Sequence, residues 1–366
     1  MAATPVVLYN GSYEIKGGFA GNDSPAVVFK TLVAGSRGSS GTGDALVGNE
    51  VAASRDDLED VRSVIKEGLV TDDHDIELVW RHAYSQLGVS LEEHPLLLTE
   101  AVGCPFETRQ RLSQILFESM DVPALYWGHN PVLALHSYNL KTGLVVDSGY
   151  DSTSVIPINN GTMVNEAINV LELAGKGLSN YLEHLLEKRY YSFSSWAQKY
   201  QAEQMKETLC YVSLDVHDEF KKLSTESNNT EKTFKMKDGT VIALRKERFV
   251  CPEALFAPNL IGLNGHPLHK LIQNAVSKSD EDVRPLLYSN IILSGGTAEI
   301  PGIKARLEEE LNTAGTNQDI NVTSPKWRYA AWKGGSMLAA DQEFVKNEFL
   351  TKASYEEHGD SVLKRF

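Results

Sequence analysis

Apolar residues recur along the chain in two rhythms. Short β-prone runs break off at small-residue turns. Val6-Val7-Leu8-Tyr9 leads into Asn10-Gly11 and residues 12–16. Val155-Ile156-Pro157-Ile158 leads into Asn159-Asn160-Gly161, and residues 233–237 lead into Asp238-Gly239 and 240–244. Asn-Gly and Asp-Gly readily take positive φ, so these sites predict tight two-residue hairpins. The second rhythm is helical. Ile76, Val79, Trp80 and Tyr84 fall on one face of residues 75–87. Leu112, Ile115, Leu116 and Met120 do so in 109–120, and Pro301-Gly302 opens a helix running to Leu311. Ser54-Arg55-Asp56-Asp57 reads as a capping-box start before an acidic helix. The apolar stripes are expected in cores, and charge runs such as Glu308-Glu309-Glu310 on solvated faces. Alternating strands and helices predict an α/β architecture with mixed sheets.

Composition narrows the function classes. The 366 residues suggest two to three domains or one large two-lobed body. Lys plus Arg number 35 and Asp plus Glu 49, for a net charge of −14. That balance argues against direct nucleic-acid binding, which needs a cationic face. The N-terminal residues do not read as a signal peptide, and no run of about 18 apolar residues predicts a membrane span. Cys104, Cys210 and Cys251 are odd in number and far apart, so a disulfide framework is not expected. No paired-Cys or His-Glu-x-x-His motif occurs, so no metal site is assigned. Residues 36–44, Ser-Arg-Gly-Ser-Ser-Gly-Thr-Gly-Asp, form a Gly/Ser-rich loop without an apolar side chain.

Two segments echo each other. Residues 6–12 and Leu144-Val145-Val146-Asp147-Ser148-Gly149 are both β-rich runs opening at once into a small-residue turn. Such turns expose backbone N–H groups suited to phosphate oxygens, and a facing pair would clamp a polyphosphate.

At these turns the sequence resembles the actin family. The segments that carry the resemblance run in order along the chain. They are Lys16-Gly17-Gly18-Phe19-Ala20-Gly21, residues 93–100 (EHPLLLTE), 144–149, Leu173-Ala174-Gly175, 206–212 (KETLCYV), 248–256 (RFVCPEALF), Leu293-Ser294-Gly295-Gly296-Thr297 and Trp332-Lys333-Gly334-Gly335-Ser336. The departures are those of an actin-related protein. The resemblance implies an actin-like two-lobed fold, shared with sugar kinases and chaperone ATPases, with a mixed β-sheet and helices in each lobe around a central nucleotide cleft. It places one lobe at 1–136 plus 329–366 and the other at 137–328.

It also implies which residues would meet a nucleotide. On the phosphate side, Gly11, Ser12, Lys16, Asp147 and Gly149 match the family. Six positions depart: Tyr9 and Tyr150 stand where actin has carboxylates, Tyr13 and Asp151 where it has glycines, and Asn130 and Ser154 where Gln and His position water. On the nucleoside side Gly175, Lys206, Glu207, Gly295, Gly296 and Thr297 are retained, Arg328 replaces a Lys, and Glu299-Ile300 replaces Met-Tyr. Hydrolysis depends on positioning and on metal-borne charge, so no useful ATPase is expected. The cofactor stays open between no nucleotide and ATP or ADP held without turnover.

The assembly surfaces differ as well. The 36–44 loop offers nothing apolar to insert into a neighbour. Asn139, Lys141 and Asp341 put polar groups where actin's partner groove is small or apolar. Homofilaments are therefore not expected. The expectation is a structural subunit joined to other protein subunits, actin or actin-related proteins among them, in a cytoplasmic cytoskeletal, motor-associated or ciliary assembly. A nuclear subunit of a chromatin-remodelling complex is the alternative, and an ATP-hydrolysing filament former fits worst.

Overall fold

The computed structural model of the chain describes residues 3–35, 45–54, 58, 60–225, 231–315, 318–325 and 329–366. Two compact units emerge, Met1–Leu140 with Tyr329–Phe366, and Lys141–Arg328. The first unit ends at Leu140 rather than at the expected His136. The helix Asn130–His136 runs on into a turn, with the N–H groups of Ser137, Tyr138 and Asn139 donating to Leu133, Leu135 and His136 carbonyls at 3.0, 3.1 and 2.8 Å. Those bonds keep the segment with the helix.

The first unit is built on a six-stranded mixed sheet. Its order is Leu350–Thr351, Ala124–His129, Leu96–Glu100, Val6–Asn10, Glu14–Phe19, Val27–Lys30. Val6–Asn10 pairs antiparallel with the hairpin partner Glu14–Phe19 and parallel with Leu96–Glu100. Val6, Val7 and Leu8 are fully buried because both faces of this strand are covered. On one face the helix Asp73–Leu87 contributes Ile76, Val79 and Trp80, capped at its start by Asp72 and closed by Gly88 at φ 71°. On the other lies the helix Ala330–Ala339, whose buried Trp332 donates from Nε1 to the Val7 carbonyl at 3.0 Å. This helix crosses Asn130–His136 so closely that a Cβ on Gly334 would fall 1.7 Å from the Leu133 carbonyl oxygen. At the open edge of Val27–Lys30, the Asn49 amide accepts from Lys30 N–H at 3.2 Å and donates to the Val28 carbonyl at 3.4 Å.

The second unit repeats the plan. Gly143–Ser148 pairs antiparallel with Thr153–Asn159 and parallel with Ile291–Ser294. Thr162–Met163 and Val322–Thr323 lie outermost, and Asn169–Leu171 also pairs with Thr153–Asn159. The two echoing segments of the sequence are thus topological equivalents. Within this unit the Arg306 guanidinium is two-fold bonded to Glu253 at 3.0 and 3.0 Å and bonded to Glu310 at 2.8 Å. Burial raises the Glu253 carboxyl above its ordinary range, with Arg306 opposing.

Several sequence expectations change. Only Asn160-Gly161 makes a two-residue turn, with φ of 48° and 82°. The first hairpin keeps Asn10 paired with Ile15 and turns through residues 11–14. The third turns through 237–239, with Gly239 at φ 90° and Asp238 accepting from Thr240 N–H. Ser54 ends the helix Asn49–Ser54 instead of starting one. The chain then forms the strand Val61–Ser63 on Leu32–Ala34, where Arg62 is gripped by the buried Asp75 at 2.7 and 2.9 Å. Residues 55–57 of that expected helix start lie outside the described residues, as does the 36–44 loop. The helix expected over 109–120 is α-helical over Phe106–Gln114 and then widens into a π-turn, Ile115–Ser119, closed by Met120 N–H to Ile115 O at 3.0 Å. The Glu308-Glu309-Glu310 run is not simply solvated, since Glu310 binds Arg306 and Glu308 accepts from Val322 N–H.

Candidate functional site

In the first unit the hairpin register sets Tyr9 opposite Lys16. The Lys16 ammonium lies 4.5 Å from the Tyr9 ring centre and 5.1 Å from that of Tyr329. Two aromatic faces therefore solvate a cation that the sequence reading assigned to phosphate. The Tyr9 ring also lies over Gly11, where a Cβ would fall 2.7 Å from Cε1 of Tyr9. The turn is anchored by three bonds from two residues, Thr31 and Gly68. Gly11's carbonyl accepts from the Thr31 hydroxyl at 2.6 Å, the Ser12 hydroxyl accepts from Gly68 N–H at 3.2 Å, and Tyr13's carbonyl accepts from Thr31 N–H at 3.1 Å. Tyr13 does not leave an empty flank. Lys30, paired with Glu14 at 2.9 Å, places its ammonium 3.5 Å from the Tyr13 ring centre.

Asn130 opens the helix ahead of Pro131, is 6% exposed, and has a buried side-chain oxygen. Its neighbour His129 sits 3.1 Å from the buried Glu100, which Arg109 also grips. Burial alone would raise the Glu100 carboxyl, but the His129 ring and the Arg109 guanidinium beside it outweigh burial and hold the group below the usual carboxylate range. This cluster binds elements of the first unit together. Arg109 also donates to the Phe366 main-chain oxygen at 2.7 Å.

In the second unit the turn after Gly143–Ser148 runs through Gly149, Tyr150, Asp151 and Ser152, closed by Gly149 N–H to Ser152 O at 3.1 Å. Asp147 is in register with Ser154 on one side and Ser294 on the other. Gly295, at φ 85°, tucks beneath it; a Cβ there would fall 2.2 Å from the Ser148 carbonyl oxygen and 3.1 Å from Asp147 Oδ1. Only glycine fits so close an approach in that backbone region. The Gly149 carbonyl accepts from Gly175 N–H at 3.1 Å and from the Thr297 hydroxyl at 2.7 Å, so one atom ties three retained segments together. Lys176 N–H donates to the Tyr150 carbonyl at 2.8 Å.

The side chains of this turn have new partners. The Tyr150 hydroxyl donates to Glu203 on the helix Trp196–Leu209 at 3.2 Å. Asp151 lies 4.0 Å from the Lys176 ammonium, which offsets part of the negative charge it brings to the turn. Lys206 is buried and donates to the Gly175 carbonyl at 2.6 Å and the Ser179 hydroxyl at 2.9 Å. It therefore fastens the first turn of the helix Gly175–Glu187, a structural task that accounts for its retention without a ligand. Farther along the same helix, burial pushes the Glu183 carboxyl up to about 7, reinforced by Glu187 and Glu203 and opposed by Lys199.

The second unit thus gathers Asp147, Gly149, Tyr150, Asp151, Ser154, Gly175, Lys206, Gly295 and Thr297. Glu207 is exposed one residue beyond Lys206, and Gly296 is exposed, with open space where a Cβ would stand. The first unit gathers Tyr9, Gly11, Ser12, Tyr13 and Lys16. Asn130 stands at the start of its own helix, Asn130–His136. Arg328 lies outside the described residues. Sequence reasoning missed Tyr329, Lys30, Glu203 and Ser179. Lys30 was legible in principle, as the cross-strand partner of Glu14. Tyr329 and Glu203 carry no local signal.

As to a metal-bound triphosphate, the residues present divide. The glycine-lined turn of the second unit suits close approach of a ligand at Gly296. The first unit offers a phenol ring over Gly11 and a lysine already faced by two rings, and these do not fit a metal's water shell, which needs oxygen ligands. A model of the Actin family matches residues 2–366.

Proposed function

The chain belongs to the actin family, and on that premise we propose that it serves as a non-catalytic, actin-related structural subunit of a multi-protein cytoskeletal, motor-associated or ciliary assembly in the cytoplasm. The packing of Tyr9 carries this reading. Phosphoryl transfer from a nucleoside triphosphate needs metal-borne charge and an in-line water. The Tyr9 ring covers Gly11 and faces Lys16, so the hairpin's chemistry is spent on itself. Tyr150 is likewise turned to Glu203. Any ATP or ADP held on the nucleoside side is held without turnover. Asn139, Lys141 and Asp341 disfavour apolar helix partners, and Asp341 caps the helix Gln342–Glu348 through Glu343 and Phe344 N–H groups. The partners are other protein subunits, actin or actin-related chains among them, rather than further copies in a filament.

The test combines three measurements on the purified chain. Phosphate release with Mg-ATP should stay at the background rate. Polymerising salt should leave the protein in the supernatant after high-speed sedimentation. Affinity purification from cells should recover a fixed set of cytoskeletal or motor subunits. Steady phosphate release, or pelleting as filaments, would sink the reading.

A further inference from the structure

The hairpin of Lys232–Lys235 and Val241–Leu244 forms a two-stranded sheet of its own in the second unit. Met236 N–H donates to the Thr240 carbonyl at 2.8 Å, which makes these two residues a hydrogen-bonded pair. Such pairs alternate along an antiparallel ladder. Phe234 opposite Ile242 is the next, so the N–H and C=O groups of Thr233 and Lys235 point away from the partner strand. Among the described residues no hydrogen-bond partner meets them, and both residues are exposed. The other border is taken, since the Ala243 carbonyl accepts from Arg189 at 2.6 Å. The two faces of the hairpin differ. Phe234, Met236, Ile242 and Leu244 pack on the core of the unit. Lys235 lies on the outward face across from Val241, which is 55% exposed. Residues 231–248 hold six Lys or Arg against three Asp or Glu, in a chain of net charge −14. The three acids are already engaged. Glu231 pairs with Arg245 at 3.1 Å, Asp238 accepts from Thr240 N–H at 2.8 Å, and Glu247 is buried with Arg189 at 3.3 Å. Lys232, Lys235, Lys237 and Lys246 are exposed and, among the described residues, meet no carboxylate.

We propose that the free border of Lys232–Lys235 takes an acidic, extended segment of a partner protein as a third strand. The alternating donors and acceptors of a strand border are matched by another extended backbone. A lipid surface or a nucleic acid offers no such repeat. Side chains of an added strand alternate between the two faces of the sheet. Those on the outward face come beside the Lys235 ammonium, which selects Asp or Glu. Those on the other face come beside the partly buried Phe234, which selects apolar residues. The segment recognised is therefore one in which acidic and apolar residues alternate. Outside residues 231–248 the chain is more acidic still, so this hairpin attracts an acidic partner that much of the remaining surface repels. The partner chemistry rests on the reading of the chain as a subunit among other protein chains. Peptide binding is measured without phosphate release or sedimentation, so either can fail while the other stands.

The experiment uses the intact chain and a fluorescein-labelled octapeptide of alternating Glu and Val. Fluorescence anisotropy should rise to saturation, and the affinity should fall by roughly tenfold or more as salt is raised from about 0.05 to about 0.5 M. The counterpart of alternating Lys and Val should not bind. Hydrogen–deuterium exchange of the complex should be slower at residues 233–235 than in the free chain. Lys235→Glu/Lys237→Glu should weaken binding by about tenfold or more. Thr233→Pro, which removes a border N–H and keeps every lysine, should weaken it as well. The exchange map of the wild-type complex decides the matter even where a variant fails to fold. No saturable binding, equal binding of the lysine peptide, or binding that leaves exchange at 233–235 unchanged would overturn the proposal. Retention on phosphatidylserine vesicles that the Glu-Val peptide cannot displace would overturn it too, in favour of a membrane surface.

Discussion

Replacing Glu183 by Gln should stabilise the second unit at neutral and alkaline pH. The substitution keeps the side-chain shape and removes a charge that the fold holds at a disadvantage. Folding raises this carboxyl from 4.5 to about 7, chiefly through burial, which Lys199 opposes and Glu187 and Glu203 reinforce. A raised folded-state pKa means that the contribution to stability is fully present below the unfolded value and is lost as pH rises through the folded one. The full shift corresponds to about 3.4 kcal/mol at 1.36 kcal/mol per unit. The side chain is half-buried, and solvent screening reduces this to about 1–2 kcal/mol. At pH 8 the variant should therefore gain about 1–2 kcal/mol, or roughly 2–8 °C in the melting of a unit of this size. At pH 5 most of the penalty has not yet developed, and the gain should be less than half as large. Scanning calorimetry of both proteins at the two pH values measures this directly. Glu187→Gln, on the exposed side of the same helix, is the control and should shift stability by about 0.5 kcal/mol or less. Equal stabilities at pH 8, or a gain that grows as pH falls, would refute the reasoning.

Three further outcomes follow from the same geometry. Gly295→Ala should prevent accumulation of soluble protein, because its Cβ would sit 2.2 Å from the Ser148 carbonyl oxygen at a φ of 85°; Gly296→Ala, in open space, should express normally. Arg306→Met leaves Glu253 buried without its partner and should cost about 3–5 kcal/mol by urea unfolding, with Arg306→Met/Glu253→Gln recovering part of the loss. The triple variant Tyr9→Asp/Tyr150→Asp/Asp151→Gly should acquire Mg²⁺-dependent ATP binding by calorimetric titration. Equal Mg²⁺-dependent binding by the unmodified chain would contradict the role given to Tyr9.

What could be read from the residues depended on how local the cause was. The helix Asp73–Leu87 was legible because its stripe, its Asp72 cap and its Gly88 stop all lie within one short segment. Asn160-Gly161 was legible for the same reason. Asn10-Gly11 was not, because Thr31, brought in from just beyond the strand Val27–Lys30, holds the turn open by binding Gly11 and Tyr13. Ser54 was misread since a capping pattern cannot reveal that Val61–Ser63 has a strand waiting at Leu32–Ala34. The π-turn at Ile115–Ser119 leaves the apolar spacing almost unchanged and so hides in it. At the candidate site, the departures Tyr9, Tyr13, Tyr150 and Asp151 were visible as residue types. Their replacement partners were not, since Glu203 and Tyr329 come from distant parts of the chain. Lys206 was assigned to a ligand although its buried bonds to Gly175 and Ser179 serve the fold.

The side-chain amide of Asn49 has a consequence for association. By meeting both Lys30 N–H and the Val28 carbonyl, it acts as a one-residue surrogate strand along the border of the first sheet. The opposite border, Leu350–Thr351, is only two residues long. A foreign strand therefore finds no ladder to extend at the first border and too short a template at the second. Recruitment into a larger assembly through this sheet must read side chains, which differ from one chain to the next, instead of the peptide backbone that every chain shares.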